Sequence, residues 1–176
     1  MHLTRIPLPG RLLFRDAVFR VKDKQEKTVY LTFDDGPVPE ATPLVLDILK
    51  RYETKATFFC VGENVIKHPQ IFERIIGEGH MVGNHTFNHL NGWKVDDKSY
   101  LENIEKCSKT MNSALFRPPY GRMKFSQYKE VKKKYRVVMW DVLSLDYDTG
   151  LTAEECFGIV KKNVRPGSVI VFHDSI

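Results

Sequence analysis

With 176 residues the chain has the length of one domain and can bury a core of its own. Its formal charge of +5 and pI of about 9.0 rest on an ordinary composition, which excludes disorder beyond the ends. No helix-turn-helix, zinc-finger or RNA-binding pattern accompanies the charge, which argues against nucleic acid as a partner and leaves an anionic polymer open as substrate.

The first residues, MHLTRIPLPGRLLFRDAVF, scatter their charge and lack a sustained apolar centre, unlike a signal peptide. Residues 1–27 read as an N-terminal extension and 28–176 as the domain. The cytoplasm is the default location, with the cell envelope or secretion the alternative where a leader is missing. No apolar run nears the roughly 20 residues of a membrane span.

A strand is expected at 28–33, followed by TFDDGP. A helix over 42–52 places Leu44, Val45, Ile48 and Leu49 on one face, with Pro43 in its first turn. A strand at 56–61 ends near Cys60, which reads as core. A helix over 68–78 groups Ile71, Phe72, Ile75 and Ile76, and Gly79 stops it. The strand at 81–84 leads into HTFNH, and a helix spans 99–111. The strand at 115–117 runs into RPPYG, followed by a helix over 126–135 that carries Lys132, Lys133 and Lys134 late, where cations suit the helix dipole. A strand at 136–142 continues into WDVLSLDY. Thr152 and Glu155 form a capping box for a helix over 152–164. After the Pro166-Gly167 turn, a last strand at 168–173 ends in VFHD. The chain stops three residues beyond His173, so a domain truncated at its C-terminus is expected.

The strands are short and nearly continuous in apolar residues, as in parallel strands buried on both faces. Repeated βα units imply α/β architecture around a parallel sheet. No GxGxxG follows the first strand, and chemical groups follow nearly every strand. A (β/α) barrel with its site at the strands' C-terminal ends fits this pattern. Six strands make that barrel incomplete.

One carboxylate with two imidazoles is a ligand set that leaves a catalytic zinc an open position for water. Asp34 and Asp35 follow the first strand and point in different directions, so one can bind a metal while the other faces substrate. His85 and His89, four apart, would share one face of a helical turn. His2, His68 and His80 lack such partners and read as surface or strand residues. Arg117 ends an apolar strand, and a buried guanidinium there needs a carboxylate. Pro118 and Pro119 have no N–H, so the next free donor is that of Tyr120, at the end of a rigid loop suited to an oxyanion hole. His173 ends the last strand, where Asp141, Asp146 or Asp148 could orient it and raise its pKa. Cys60, Cys107 and Cys156 form no CxxC pair, and an odd count opposes a disulfide framework.

TFDDGP, HTFNH, RPPYG and FHD together resemble the polysaccharide deacetylases of carbohydrate esterase family four, the NodB-homology domain, from about residue 28 to 174. The resemblance implies a distorted, incomplete (β/α) barrel and a hydrolase that removes acetyl groups from an N-acetylated glycan. It makes Asp34 the base, assigns one divalent metal, most often zinc, to Asp35, His85 and His89, and has Arg117 orient Asp34. The Tyr120 N–H, following Pro119, would bind the oxyanion. His173 would be the acid, tuned by Asp146. The family has tryptophan after that aspartate; here Tyr147 would wall the acetyl pocket. The rivals are a carbon–nitrogen hydrolase of the same fold acting on a small amide or imide, a non-catalytic carbohydrate-binding descendant, and a structural interaction protein.

Overall fold

The computed structural model describes residues 4–21 and 27–175. Among them run seven parallel strands: β1 (Tyr30–Asp34), β2 (Thr57–Cys60), β3 (Met81–Asn84), β4 (Leu115–Phe116), β5 (Arg136–Val137), β6 (Val142–Leu143) and β7 (Val169–His173). They pair in the order β5-β4-β3-β2-β1-β7-β6 and curl into a half-barrel, the incomplete barrel expected of the sequence. The helices are α1 (Leu8–Leu13), α2 (Thr42–Arg51), α3 (Gly62–Lys67), α4 (Pro69–Gly77), α5 (Asp97–Ser108), α6 (Phe125–Lys134) and α7 (Ala153–Asn163). None is long and apolar enough to cross a membrane.

Local chemistry explains most element ends. Thr152 Oγ1 accepts the Glu155 N–H at 3.2 Å, and the Glu155 carboxylate accepts the Thr152 N–H at 2.8 Å, which completes the capping box of α7. Asp96 caps α5 by accepting the Ser99 N–H at 2.9 Å. Phe58, Phe59 and Cys60 of β2 are all buried, as a parallel strand covered on both faces requires.

The structure corrects four sequence readings. Of the face expected for α2, Leu49 is buried and Val45 packs partly buried on the core, but Leu44 and Ile48 face outward and Leu46 is buried in their place; Leu46 and Leu49 pack with Phe58 and Ile75. Residues 136–142 do not form one strand. The chain leaves the sheet at Val138 to bridge Val18, then rejoins it at Val142 on the far edge, giving seven strands in place of six. α3 was not expected. His80 is buried in the core, its Nδ1 accepting the Ala56 N–H at 3.2 Å while Nε2 has no hydrogen-bond partner among the described residues. Cys60, Cys107 and Cys156 are buried free thiols whose pKa burial raises. His2 lies outside the described residues.

Residues before β1 help to close the half-barrel. Val18 donates to Val137 O and accepts from Met139 N, both at 2.8 Å, and the Val21 N–H reaches Gly167 O at 2.9 Å. Behind this segment the buried Asp141 binds Arg11 Nη2 at 3.0 Å and both Arg165 Nε and Nη2 at 2.8 Å. That carboxylate is therefore fully engaged away from His173.

Strand register is what assembles the functional face. Asp34 lies beside His173 across β1–β7 and beside Phe59 across β1–β2. Asn84 pairs with both Cys60 and Phe116, so the residues that follow, His85 and Arg117, emerge at the same level.

Candidate active site

Six described non-glycine residues have positive φ, and five of them, Asp35, Thr86, His89, Tyr120 and Leu145, lie in the loops at the strands' C-terminal ends. Backbone in this region is costly for side-chain-bearing residues and concentrates at functional sites. These loops surround a cavity of about 400 Å³ lined by Asp34, Asp35, His85, His89, Tyr120, Arg122 and His173 among others, within the size range of small-ligand sites.

Arg117 anchors the floor. It is fully buried, and its Nη1 donates to Asp34 Oδ1 at 2.6 Å and to Thr32 Oγ1 at 2.7 Å. Nε and Nη2 reach the carbonyls of Val138 and Met139 at 3.1 and 3.0 Å, and the guanidinium lies 4.1 Å from the Phe59 ring centroid. Burial lowers the arginine pKa, and Asp34 opposes that shift. The expected carboxylate partner of a buried guanidinium is thus Asp34, which keeps Oδ2 outside the ion pair.

Asp35, His85 and His89 converge, with ligand atoms all within 4.8 Å of one another. The expectation of a helical turn for the two histidines is incorrect. Residues 85–89 form an irregular loop with positive φ at Thr86 and His89, and that loop brings the ring centroids to 5.2 Å. His85 Nδ1 lies 2.8 Å from Arg117 O, a geometry in which Nδ1–H donates and Nε2 presents a lone pair. Asp35 Oδ1 sits 3.4 Å from His85 Nε2 and 3.1 Å from His89 Nε2.

Burial alone would raise the Asp35 pKa, but the two imidazoles outweigh it and hold the carboxyl below its ordinary range. Neither contact is a formed hydrogen bond, however, and Oδ1 is a buried acceptor without a donor. The bond from His85 Nδ1–H to the Arg117 carbonyl leaves Nε2 to present its lone pair toward Asp35 Oδ1. Three potential ligand atoms around one point fit a divalent cation, and an aspartate with two histidines is a donor set suited to zinc. Elemental analysis should find about one metal per chain in the wild type, and His85→Ala should lose it. Unchanged metal content in the variant would refute the ligand set.

On the other side of the cavity, Asp146 is the carboxylate that meets His173. Oδ1 contacts Nδ1 at 2.7 Å, Oδ2 accepts the His173 N–H at 2.8 Å, and Ser144 Oγ donates to Oδ1 at 2.8 Å. Burial works to lower the His173 pKa. The Asp146 hydrogen bond and the negative charges of Asp34, Asp146 and Asp35 outweigh it, so the pKa rises. The Tyr147 ring stands edge-on to His173 at 5.3 Å, and the Tyr120 ring covers His89 at 4.5 Å; both tyrosines are exposed at the mouth. Pro119 is buried and does not line the cavity. Its carbonyl accepts the Arg122 N–H at 3.0 Å, while Pro118 O accepts that of Gly121 at 3.0 Å.

Two contributors escaped the sequence reading. Trp140 lines the cavity, although the strand pattern gave it no such role. Asp174, almost fully buried, accepts the Gly36 N–H at 3.0 Å and the Thr42 hydroxyl at 2.7 Å. It lies so close to Gly36 that a Cβ there would come 2.1 Å from Asp174 Oδ2, so the turn after Asp35 needs glycine. Burial and the nearby Asp34 and Asp35 push the Asp174 carboxyl up to about 7, against the bonds from Thr42 and Gly36.

The chain is similar to several known proteins. The Polysaccharide deacetylase family profile matches residues 21–139. A peptidoglycan-N-acetylglucosamine deacetylase of Bacillus cereus is 42% identical over 84% of this chain, which spans 56% of that protein's length. The peptidoglycan-N-acetylmuramic acid deacetylase PdaA of Bacillus subtilis is 34% identical over 92% of this chain and 65% of its own. The crystal structure of the Bc1960 peptidoglycan N-acetylglucosamine deacetylase superposes with a TM-score of 0.88 at 37% identity, covering 97% of this chain and 81% of that one. The chain belongs to the polysaccharide deacetylase family.

Proposed function

We propose that the site hydrolyses the acetamido group of an N-acetylated glycan, releasing acetate and leaving a free amine, with one divalent metal as cofactor. The observation that carries this is the convergence of three potential metal-ligand atoms, an arginine-bound carboxylate and an aspartate-bound imidazole around one cavity. The peptidoglycan substrates in the names of the relatives make cell-wall glycan strands the class of choice.

A zinc ion held by Asp35, His85 and His89 would, when bound, acidify water and polarise the acyl oxygen. Arg117 fixes Asp34 through Oδ1, so Oδ2 takes the proton of the attacking water. The Tyr120 N–H donates to the oxyanion as the carbonyl becomes tetrahedral. His173 gives its Nε2 proton to the amide nitrogen, which then leaves as an amine, and Asp146 holds the opposite side of the ring. Tyr120 and Tyr147 offer exposed ring faces to the sugar at the mouth.

The test is a substrate panel with acetate and free amine measured together: N-acetylglucosamine oligomers, peptidoglycan glycans, and small amides and imides. Equal acetate and amine from the glycans alone is the expected outcome. Turnover confined to a small amide or imide would replace this function with that of a different carbon–nitrogen hydrolase.

A further inference from the structure

The basic run late in α6 is neutralised locally. In the late-helix run, Lys132 pairs with Asp16, Lys133 with Glu130 and Lys134 with Glu105. Arg122 differs: among the described residues no carboxylate lies within ion-pairing distance of it, and it is exposed at the rim of the catalytic cavity. We propose that Arg122, laid on Trp93, is an acid-binding subsite that takes a carboxylate carried on a sugar next to the acetamido group being hydrolysed. This rests on the deacetylase function above and narrows its substrate to acidic N-acetylated glycans.

The subsite is built before any ligand arrives. The guanidinium carbon lies 5.2 Å from the Trp93 ring centroid. The indole is fixed in turn: its Nε1–H donates to Met123 O at 3.1 Å, and the Trp93 N–H to Asn91 Oδ1 at 3.0 Å. The Trp93 turn is stitched to the start of α6 by Gln127 Nε2 on Gly92 O at 2.9 Å and by Lys124 Nζ on Val95 O at 2.7 Å. The two segments pack so closely that a Cβ on Gly92 would lie 3.0 Å from both Arg122 O and Met123 Cα. Arg122 itself is held by its N–H on Pro119 O. A guanidinium stacked on an aromatic face keeps its in-plane N–H edge free, and that edge matches the two oxygens of a carboxylate. A neutral glycan would give this positioned cation nothing to bind. N-Acetylmuramic acid, by contrast, carries a lactyl carboxylate on the sugar ring.

The experiment compares two tetrasaccharides of equal length. One alternates N-acetylglucosamine with N-acetylmuramic acid and carries no peptide; the other is the neutral N-acetylglucosamine tetramer. Values of kcat and KM for acetate release, and Kd by calorimetry, are measured for the wild type, Arg122→Ala and Arg122→Lys. Arg122→Ala should raise KM and Kd for the acidic glycan about fivefold, as for an exposed charge pair, with kcat unchanged. The neutral tetramer should be unaffected, the effect should shrink with added salt, and Arg122→Lys should recover part of it. Equal losses on both glycans, or no loss on the acidic one, would overturn the subsite. Absence of acetate from both glycans, with Kd for the acidic one still dependent on Arg122, would reject the deacetylase function and keep the subsite; if Kd were also insensitive, both would fall.

Discussion

Asp34→Asn is expected to keep about one metal per chain and to lose nearly all acetate release. Asparagine preserves an acceptor for Arg117 Nη1 but has no carboxylate to take the proton from water. A positioned general base contributes roughly 10²–10⁴-fold, which sets the size of the loss. The charge change also leaves the buried guanidinium without its anion, although Thr32 and the Val138 and Met139 carbonyls still accept its hydrogens. A lower melting temperature should therefore accompany the lost activity. Elemental analysis and single-turnover acetate release check both halves. Loss of the metal in this variant would show that Asp34 and Asp35 exchange roles.

His173→Ala should lower turnover by about 10²–10⁴-fold with the metal unaffected, because the leaving amine then has no proton donor. Asp146→Asn should cost less and should move the alkaline limb of the pH–rate profile to lower pH. The sign follows from the raised His173 pKa, to which the Asp146 hydrogen bond contributes against the effect of burial. Without that anion the imidazolium loses its proton sooner as pH rises. The same shift stabilises the fold fully below the unfolded histidine pKa, near 6.5, and that contribution fades as pH climbs through the higher folded value. An alkaline limb that stays in place in Asp146→Asn but moves in Asp141→Asn would break the pairing. The structure gives Asp141 to Arg11 and Arg165 instead.

Chemistry placed at strand ends made much of this site legible in the sequence. Asp34, His85, Arg117 and His173 each end or follow an apolar run, and strand register alone brings those ends together. β3 was found to the residue because Met81–Asn84 sits between a glycine stop and the HTFNH loop. Periodicity failed where long-range partners decide. The apolar residues 137–140 look like one strand, but the segment containing Val18 captures Val138 and Met139 from 120 residues away, and the sheet breaks there. In α2 the apolar pattern places Leu49 correctly, but only packing against Phe58 and Ile75 selects Leu46 over Leu44 and Ile48. Asp174 could not be placed by spacing, since its partners Gly36 and Thr42 lie at the other end of the chain. Spacing alone leaves Asp141, Asp146 and Asp148 open as partners of His173; the family resemblance points to Asp146, and the arginines hold Asp141 elsewhere.

Asp35, His85 and His89 are proposed to hold a metal on which deacetylation depends. The most direct measurement is acetate release from an N-acetylated glycan by metal-stripped protein during titration with zinc. Release should be absent at the start, rise with added metal and level off at about one ion per chain. Full acetate release by the stripped protein, or none at saturating metal, would contradict the account.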